Sequence, residues 1–232
     1  MDVDLDRFRR YTRWHRYANR RRYDAPADPW KVVRVDPEEV TFYAVVSLKW
    51  GLGRVRGGEW DRRANCGRVS DVYIHEGLTQ RFEEGYDWEE TAYYRWARNQ
   101  FDAGNTVRGY ETLEAFRTQR CEYVDDLFES VREEGYRPNF ETTYDDPGEV
   151  EYAHDLEPLV LVGRSGEIIW SEGFHRLVIA SILGIDEIPV YVLRRHEQWQ
   201  EVRDAIDGVP ATGLPPELEA YTDHPDVRDV LA

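Results

Sequence analysis

The stretch from residue 159 to residue 199 constrains the fold more than any other part of the chain. Three short apolar runs, at 159–162, 167–170 and 188–193, predict strands. Between the second and third runs, residues 177–183 are apolar on nearly every side, which predicts a short buried helix. Gly184 stands where such a helix would end on a left-handed residue. This order of elements predicts a strand-turn-helix-strand unit within an α+β protein.

The turn before this helix is predicted to bind an anion. It reads Ser171-Glu172-Gly173-Phe174-His175-Arg176. A sharp turn at Gly173 would aim the N–H groups of the helix start at a ligand, and the helix dipole adds about half a positive charge. Arg176 can add a bidentate contact to phosphate, and His175 can exchange a proton near neutral pH. The predicted ligand is a phosphate-bearing small molecule, above all a nucleotide.

Glu172 is the unusual member of this turn. A carboxylate beside a phosphate is unfavourable unless it binds a metal, accepts from a sugar hydroxyl or acts as a general base. The alternative is that Glu172 pairs with an arginine. For His175 and Arg176 the alternative is a buried pair that joins the turn to the sheet. The residues alone leave these alternatives open.

The turn also resembles that of a known family. Glu172-Gly-Phe-His-Arg-Leu, followed by Gly184 and then Ile-Pro-Val at 188–190, is similar to the ParB/sulfiredoxin superfamily over residues 159–199. The resemblance implies a small mixed sheet with packed helices and a helical insertion at about 86–136. It also implies a nucleotide such as ATP, ADP or CTP. Its phosphate-binding residues would be Ser171, Gly173, Phe174, His175 and Arg176.

The chain departs from the family at two points, and each departure argues against one of the family's activities. Sulfiredoxins carry their reactive cysteine immediately before the histidine, where this chain has Phe174. Partition proteins continue into a helix-turn-helix domain and a dimerisation domain, whereas acidic, proline-rich residues follow Trp199 here. We therefore expect neither sulfinic acid reduction nor a conventional partition clamp. A nuclease label is sometimes attached to the superfamily, but the metal cluster that it needs is not evident in the sequence.

A second set of candidate site residues resembles an uncharacterised subgroup of the same superfamily. The set comprises Gly57, Gly58, Glu59, Trp60 and Asp61 together with Arg195, His196 and Trp199. The glycines allow close backbone approach, Glu59 and Asp61 offer oxygen ligands for Mg²⁺, and Trp60 offers a stacking face. Glu59 is also a candidate general base. The alternatives are a solvated loop anchored by Trp60 and a surface salt-bridge cluster at 194–196.

Composition limits the partners. The net charge of −16 opposes a general electrostatic grip on nucleic acid, so DNA binding is not favoured without a local basic patch. Of the 30 basic residues only Lys31 and Lys49 are lysine, which, with the abundant acids, is typical of a halophilic cytoplasm. Because the sequence has neither a membrane span nor a secretion signal, we expect a cytoplasmic protein. Cys66 and Cys121 are isolated, which predicts incidental or buried thiols.

Three regions are predicted along the chain. Residues 1–30 predict a basic amphipathic helix that could contact nucleic acid, an anionic membrane or the acidic remainder of the chain. Residues 31–200 form the ParB/sulfiredoxin-like domain, with strands at 31–35 and 40–46, a loop at 51–68 and helices at 88–103 and 112–134. Residues 139–155 are predicted to be a surface connection. Residues 201–232 form an acidic tail.

Two functions remain open at this point. The first is a Mg²⁺-dependent, kinase-like phosphotransferase that acts on a small hydroxyl acceptor, with Glu172, His175 and Glu59 as catalytic candidates. The second is a nucleotide-gated DNA- or protein-binding regulator related to partition proteins, which needs no catalytic base. An interaction protein that keeps the fold without the ligand is a third option. The sequence does not determine the oligomeric state.

Overall fold

The computed structural model describes residues 4–138, 156–210 and 213–231, and it is mixed α+β. The strands are β1 (Val32–Val35), β2 (Phe42–Tyr43), β3 (Arg54–Val55), β4 (Gly67–Arg68), β5 (Leu159–Val162), β6 (Ile168–Glu172) and β7 (Ile188–Arg195). The α-helices are α1 (Leu5–Arg22), α2 (Tyr73–Phe82), α3 (Ala92–Asp102), α4 (Leu113–Ala115), α5 (Glu122–Glu134), α6 (Phe174–Ile182), α7 (Glu197–Ile206) and α8 (Pro216–Glu219). A π-helical segment, Phe116–Cys121, joins α4 to α5. Short 3-10 turns occur at Leu48–Trp50, Arg63–Asn65, Val69–Asp71 and Trp88–Glu90.

The seven strands form one mixed sheet in the order β1-β7-β5-β6-β2-β4, and β3 also pairs with β7. Strand β7 pairs with three other strands of this sheet, and all eight of its residues are buried. On one side it runs parallel to β5. On the other side its first half pairs antiparallel with β1 and its end pairs parallel with β3. Two strands therefore share one edge of β7.

A β-bulge changes the facing of side chains near the end of β7. The register with β5 shifts between Val160 and Leu161, so that Val160 lies opposite Val192 but Leu161 lies opposite Arg194. An extra residue in one strand re-aims the side chains that follow it. Arg194 therefore shares the sheet face of Leu161, while Arg195 turns toward the opposite face.

The sheet has an apolar core on each face. On one face, Phe8 of α1 packs with Leu161 and Leu193. On the other face, Leu177 of α6 and Trp199 of α7 pack against the sheet. The sequence prediction of a buried helix is confirmed, because α6 contributes to this core and also to a second cluster that it forms with α2, α3 and α5.

Helix α1 docks on the sheet through polar contacts as well as through Phe8. The buried Thr12 hydroxyl accepts a hydrogen bond from the Leu52 N–H (3.0 Å), and the Asn19 amide donates to the Gly53 carbonyl (2.8 Å). The helix passes so close to Gly51 that a Cβ there would lie 2.5 Å from the Phe8 carbonyl oxygen. These contacts fix which side of the arginine-rich helix faces outward.

The carboxy-terminal segment folds back onto the core. Asp226 is fully buried, and its carboxylate accepts hydrogen bonds from Arg195 Nε (2.8 Å) and Trp199 Nε1 (2.9 Å). Arg203 of α7 lies beside this carboxylate and forms two 3.0 Å hydrogen bonds with Asp229. The acidic end of the chain thus supplies counterions to buried arginines. The predicted connection at 139–155 lies outside the described residues.

Across the ranges that the structure describes, no helix is both long enough and apolar enough to cross a membrane.

Candidate functional site

The turn from β6 into α6 forms as the sequence predicts. Gly173 is the N-cap of α6 and has a left-handed backbone with φ of +89°. A Cβ at this position would lie 2.9 Å from Cβ of Pro158, so only glycine combines this conformation with this packing. Among the described residues no side chain caps the helix. The first N–H groups of α6 are therefore available to an acceptor from outside the helix.

The side chain of His175 is held by Arg120, a residue that the sequence analysis did not select. Its ring is buried against Tyr93 (centroid separation 5.2 Å), and its Nδ1 accepts a hydrogen bond from Arg120 Nη2 (3.2 Å). Because Nδ1 accepts, the proton of the neutral ring sits on Nε2. That Nε2–H is buried without an acceptor among the described residues. An orphaned buried donor costs about 1–3 kcal/mol, so it is expected to meet a ligand or a water.

The electrostatic environment of His175 differs from the one expected. Burial, followed by the nearby Arg120 and Arg108, lowers the pKa of His175 well below its ordinary value. The ring is therefore neutral near pH 7, and its accepting nitrogen is already used. This lowered pKa argues against the expectation that His175 exchanges a proton near neutral pH, and leaves its Nε2–H as a hydrogen-bond donor.

Glu172 is half-buried at the end of β6, where it lies opposite Leu159. Burial raises the pKa of Glu172, and the charge of Arg108 opposes that shift. No close ion pair of Glu172 occurs within the described ranges, so the alternative of a direct arginine partner is not realised there. A carboxylate with a raised pKa beside a helix N-terminus is suited to proton transfer.

Arg176 faces a different environment from the one predicted. Its Nη2 donates to the Leu156 carbonyl oxygen (2.8 Å), and its Nη1 lies 3.5 Å from the buried Glu157 carboxylate. It also lies near Tyr136, whose pKa burial raises to about 12. The guanidinium therefore holds the segment before β5 against α6. The sequence left open a buried pair of His175 with Arg176, but the structure instead pairs Arg176 with Leu156 and Glu157.

Ser171 and Phe174 complete the turn. Ser171 is fully buried, and its hydroxyl has no hydrogen-bond partner among the described residues. Phe174 packs edge-on against Tyr43 (5.4 Å), which belongs to the adjacent strand β2. The turn thus brings together an uncapped helix start and two buried polar groups that lack partners in the described chain.

The glycine-rich loop at 57–61 lies elsewhere. Asp61 accepts hydrogen bonds from the backbone N–H (2.8 Å), Nε (2.9 Å) and Nη2 (2.7 Å) of Arg164, which follows β5. The Gly58 carbonyl accepts from His196 Nε2 (3.0 Å), just beyond β7. Both contacts are at the carboxyl ends of β5 and β7, whereas Glu172 lies at the amino end of β5. A strand of this length separates the two places by roughly 10 Å or more.

Glu59 and Asp61 do not fit the expected magnesium site. Burial alone would raise the pKa of Asp61, but the hydrogen bonds from Arg164 lower it to about 2. Glu59 is exposed and pairs with Arg62 (2.6 Å). In the part of the chain that the structure describes, no group of three or more metal-ligating side chains occurs. Both carboxylates already have arginine partners, so the loop is anchored by ion pairs and is not arranged around a cation.

The other residues of this second set have structural contacts. Trp60 donates from Nε1 to the Arg56 carbonyl (3.1 Å) and packs against the ring of His196 (5.8 Å). His196 caps α7, because its Nδ1 accepts from the Gln198 N–H (3.1 Å). Arg195 is buried and paired with Asp226. The proposed ligand contacts of Arg195 and His196 are thus replaced by contacts that hold the fold.

The structure adds Arg108 and Arg120 to the candidate site. Arg120 lies in the π-helical segment and bonds both His175 and the Tyr93 hydroxyl (3.3 Å from Nε). Arg108 is exposed and has a positive φ of 51°, which is uncommon outside glycine. Neither residue belongs to a motif. No family model, curated protein or solved structure matches this chain.

Proposed function

We propose that this protein binds the phosphates of a nucleotide at the start of α6 and belongs to the ParB/sulfiredoxin-like type. The observation that carries the proposal is the buried Nε2–H of His175, which has no acceptor among the described residues, beside an uncapped helix N-terminus. A phosphate oxygen would satisfy the imidazole donor and the backbone donors together. The turn sequence, which resembles that superfamily, agrees with this ligand.

Positive charge supports an anionic ligand at this place. Arg120 contacts the ring of His175, and the charges of Arg120 and Arg108 both lower its pKa. Arg120 uses Nη2 for His175 and Nε for Tyr93, which leaves Nη1 for a ligand. These two residues take the phosphate-binding role that the sequence assigned to Arg176, because Arg176 holds Leu156 and Glu157.

Glu172 supports a phosphotransferase as the specific activity. Its carboxylate has a raised pKa, and it adjoins the proposed phosphate site without a close ion pair in the described chain. It would accept the proton of an acceptor hydroxyl while the helix start and the arginines hold the phosphates. His175 would orient a phosphate oxygen. Mg²⁺ would enter with the nucleotide, since Glu59 and Asp61 do not fit it, and no step depends on those two residues.

Binding is tested by titration calorimetry with ATP, ADP and CTP in the presence of Mg²⁺. We expect binding in the micromolar range. Arg120→Gln should weaken it by about 2 kcal/mol, because a charged hydrogen-bond partner is lost. Arg117→Gln is the matched control: Arg117 lies in the same helical segment but pairs with Glu89 (2.7 Å) on the surface. Absence of heat with every nucleotide, or equal losses in both variants, contradicts the proposal.

Transfer is tested with labelled nucleotide and a panel of small hydroxyl acceptors. Glu172→Gln should abolish phosphate transfer and leave nucleotide affinity within about threefold, because the amide keeps the shape and loses the base. Turnover by Glu172→Gln at the wild-type rate excludes the residue as base. Nucleotide binding without turnover by the wild type favours the second candidate, a nucleotide-gated regulator, which the exposed basic face of α1 supports.

A further inference from the structure

Three arginines meet at the end of the sheet opposite the α6 turn. Arg54 of β3 is the register partner of Arg194 of β7, so their side chains lie side by side on one face. Arg56 follows two residues after Arg54 and acts on the pKa of both. Burial, with Arg54 and Arg56 nearby, lowers the pKa of Arg194 to about 10.

This arginine cluster has no counterion in the described chain. None of its three members pairs there with a carboxylate, in contrast to the buried Arg195 and Arg203 on the opposite face. Nη1 of Arg54 is buried without an acceptor among the described residues. Burying cations without an anion is costly, so the arrangement indicates that an anion from outside the described residues completes it.

Aromatic rings flank the cluster on both sides. The Arg54 guanidinium lies over the ring of Trp50 (4.8 Å), and the Arg194 guanidinium lies over the ring of Trp60 (5.3 Å). Trp50 in turn contacts Tyr11 of α1 edge-on (5.0 Å). These contacts form a continuous set from α1 to the loop at 57–61, in which two adjacent rings, Tyr11 and Trp50, are followed by the two arginines and then by the ring of Trp60.

The outer face of α1 extends this surface. A groove of about 470 Å³ beside Tyr11 is lined by Arg7, Arg10 and Trp14 as well as Asp4. Trp14 is 58% exposed and Tyr17 is 51% exposed, which is unusual for rings of this size. Arg21 lies over the Tyr17 ring (4.5 Å). We call the surface from α1 through the arginine cluster to Trp60 the basic aromatic track.

We propose that the basic aromatic track binds single-stranded nucleic acid, with phosphates at the arginine cluster and bases stacked on exposed rings. A single strand presents both phosphates and planar bases, which matches a surface on which arginine side chains lie beside aromatic rings. An anionic membrane is a poorer match, because the rings are accompanied by arginine and not by aliphatic side chains. The net charge of −16 means that binding depends on this local surface.

The test is fluorescence anisotropy with a labelled oligothymidylate of about 15 nucleotides, titrated from about 50 to 200 mM salt. Three phosphate contacts predict that log K falls with log salt with a slope of about −2, since each contact on a single strand contributes about −0.7. Arg56→Gln should weaken binding about tenfold and make the slope shallower by about 0.7. Adding Arg194→Gln should remove a further contact of the same size.

Three variants show whether a loss of oligonucleotide binding comes from the track itself, from misfolding or from the site at the start of α6. Arg56 is exposed, so its substitution leaves the core intact. Arg34→Gln, on the exposed face of β1 at the other half of the β7 edge, should bind the oligonucleotide like the wild type. Arg120→Gln should also bind it normally, because the proposal does not depend on nucleotide binding at α6.

Four results overturn the proposal. These are no anisotropy change at about 50 mM salt, an equal loss in Arg34→Gln, equal affinity for duplex DNA of the same length, and competition by a mononucleotide as effective as that by the oligonucleotide. The third would remove the role of stacked bases. The fourth would reduce the track to a single phosphate site.

Discussion

Replacing Asp226 with asparagine tests the most buried charge network in the protein. The Asp226 carboxylate is fully buried, is hydrogen-bonded by Arg195 and Trp199, and lies 3.9 Å from Arg203. The amide keeps the size of the side chain but leaves Arg195 without a counterion in the described chain. Breaking a buried pair by neutralising one partner costs about 3–5 kcal/mol. We expect the free energy of unfolding to fall by about 3 kcal/mol, near the lower end of this range, because Arg203 retains Asp229.

The loss should be measured by urea unfolding at pH 7, followed by tryptophan fluorescence. Asp223→Asn is the matched control: it removes an exposed carboxylate three residues away and should change the free energy of unfolding by less than about 0.5 kcal/mol. A loss below about 1 kcal/mol in Asp226→Asn would refute the argument that this carboxylate balances the buried arginines.

The same network predicts a pH dependence. Burial alone would raise the pKa of Asp226, but the charges and hydrogen bonds of Arg195 and Arg203 lower it far below its ordinary value. A carboxyl whose folded pKa is lowered stabilises the protein above its unfolded pKa, and that stabilisation is lost as pH falls below about 4. The wild type should therefore lose more stability than Asp226→Asn between about pH 5 and pH 2. If the stability of the wild type and of Asp226→Asn fell in parallel over this pH range, the lowered pKa could not belong to Asp226.

Two further substitutions and one chemical modification test other parts of the structure. Gly173→Ala should destabilise by about 1–3 kcal/mol, because alanine is strained at a φ of +89° and its Cβ would contact Pro158; a Tm equal to that of the wild type would contradict the turn geometry. Asp61→Asn should cost about 2 kcal/mol in urea unfolding, because the arginine after β5 loses a charged partner; no change would show that the loop is not anchored there. Burial raises the pKa of Cys121 to about 12, so a thiol reagent at about pH 8 should modify Cys66 alone until denaturant is added; rapid reaction of both thiols in the folded protein would exclude this environment.

The last structural unit could be predicted because its signals are local. Strand β5 spans the predicted residues 159–162, and β7 extends the predicted 188–193 by two residues to Arg195. An apolar run bounded by glycines restricts both the element and its burial. Helix α6 begins at Phe174, three residues before the apolar run. Gly173 is its left-handed N-cap, so the three residues that follow Gly173 belong to the helix and not to a longer turn.

The arrangement of distant segments could not be predicted in the same way. The sequence does not show whether the loop at 57–61 folds beside Gly173. In the structure β3 pairs with the end of β7 and carries the loop to the opposite end of the sheet. Strand β3 has only two residues, and it pairs with β7 just beyond the register shift between β5 and β7. Such long-range pairing leaves no periodic signal in the sequence.

The candidate site was predicted only in part for a similar reason. The turn residues adjoin one another in sequence, but Arg120 is 55 residues away from His175 and lies in an otherwise ordinary helical region. The contacts of Arg176 could not be predicted, because its partners, Leu156 and Glu157, precede the motif and become neighbours only when β5 and α6 pack. Charge partners across elements are properties of the folded chain.

The π-helical segment Phe116–Cys121 has a consequence for how the contact between Arg120 and His175 could be lost. A π-turn holds one residue more than an α-turn, so deleting one residue from it would restore regular α-helical winding while α4 and α5 keep nearly the same faces. The change would be confined to the side chains of the segment itself, which include Arg120. A single-codon deletion there would therefore alter the contact between the guanidinium and the imidazole without replacing either residue.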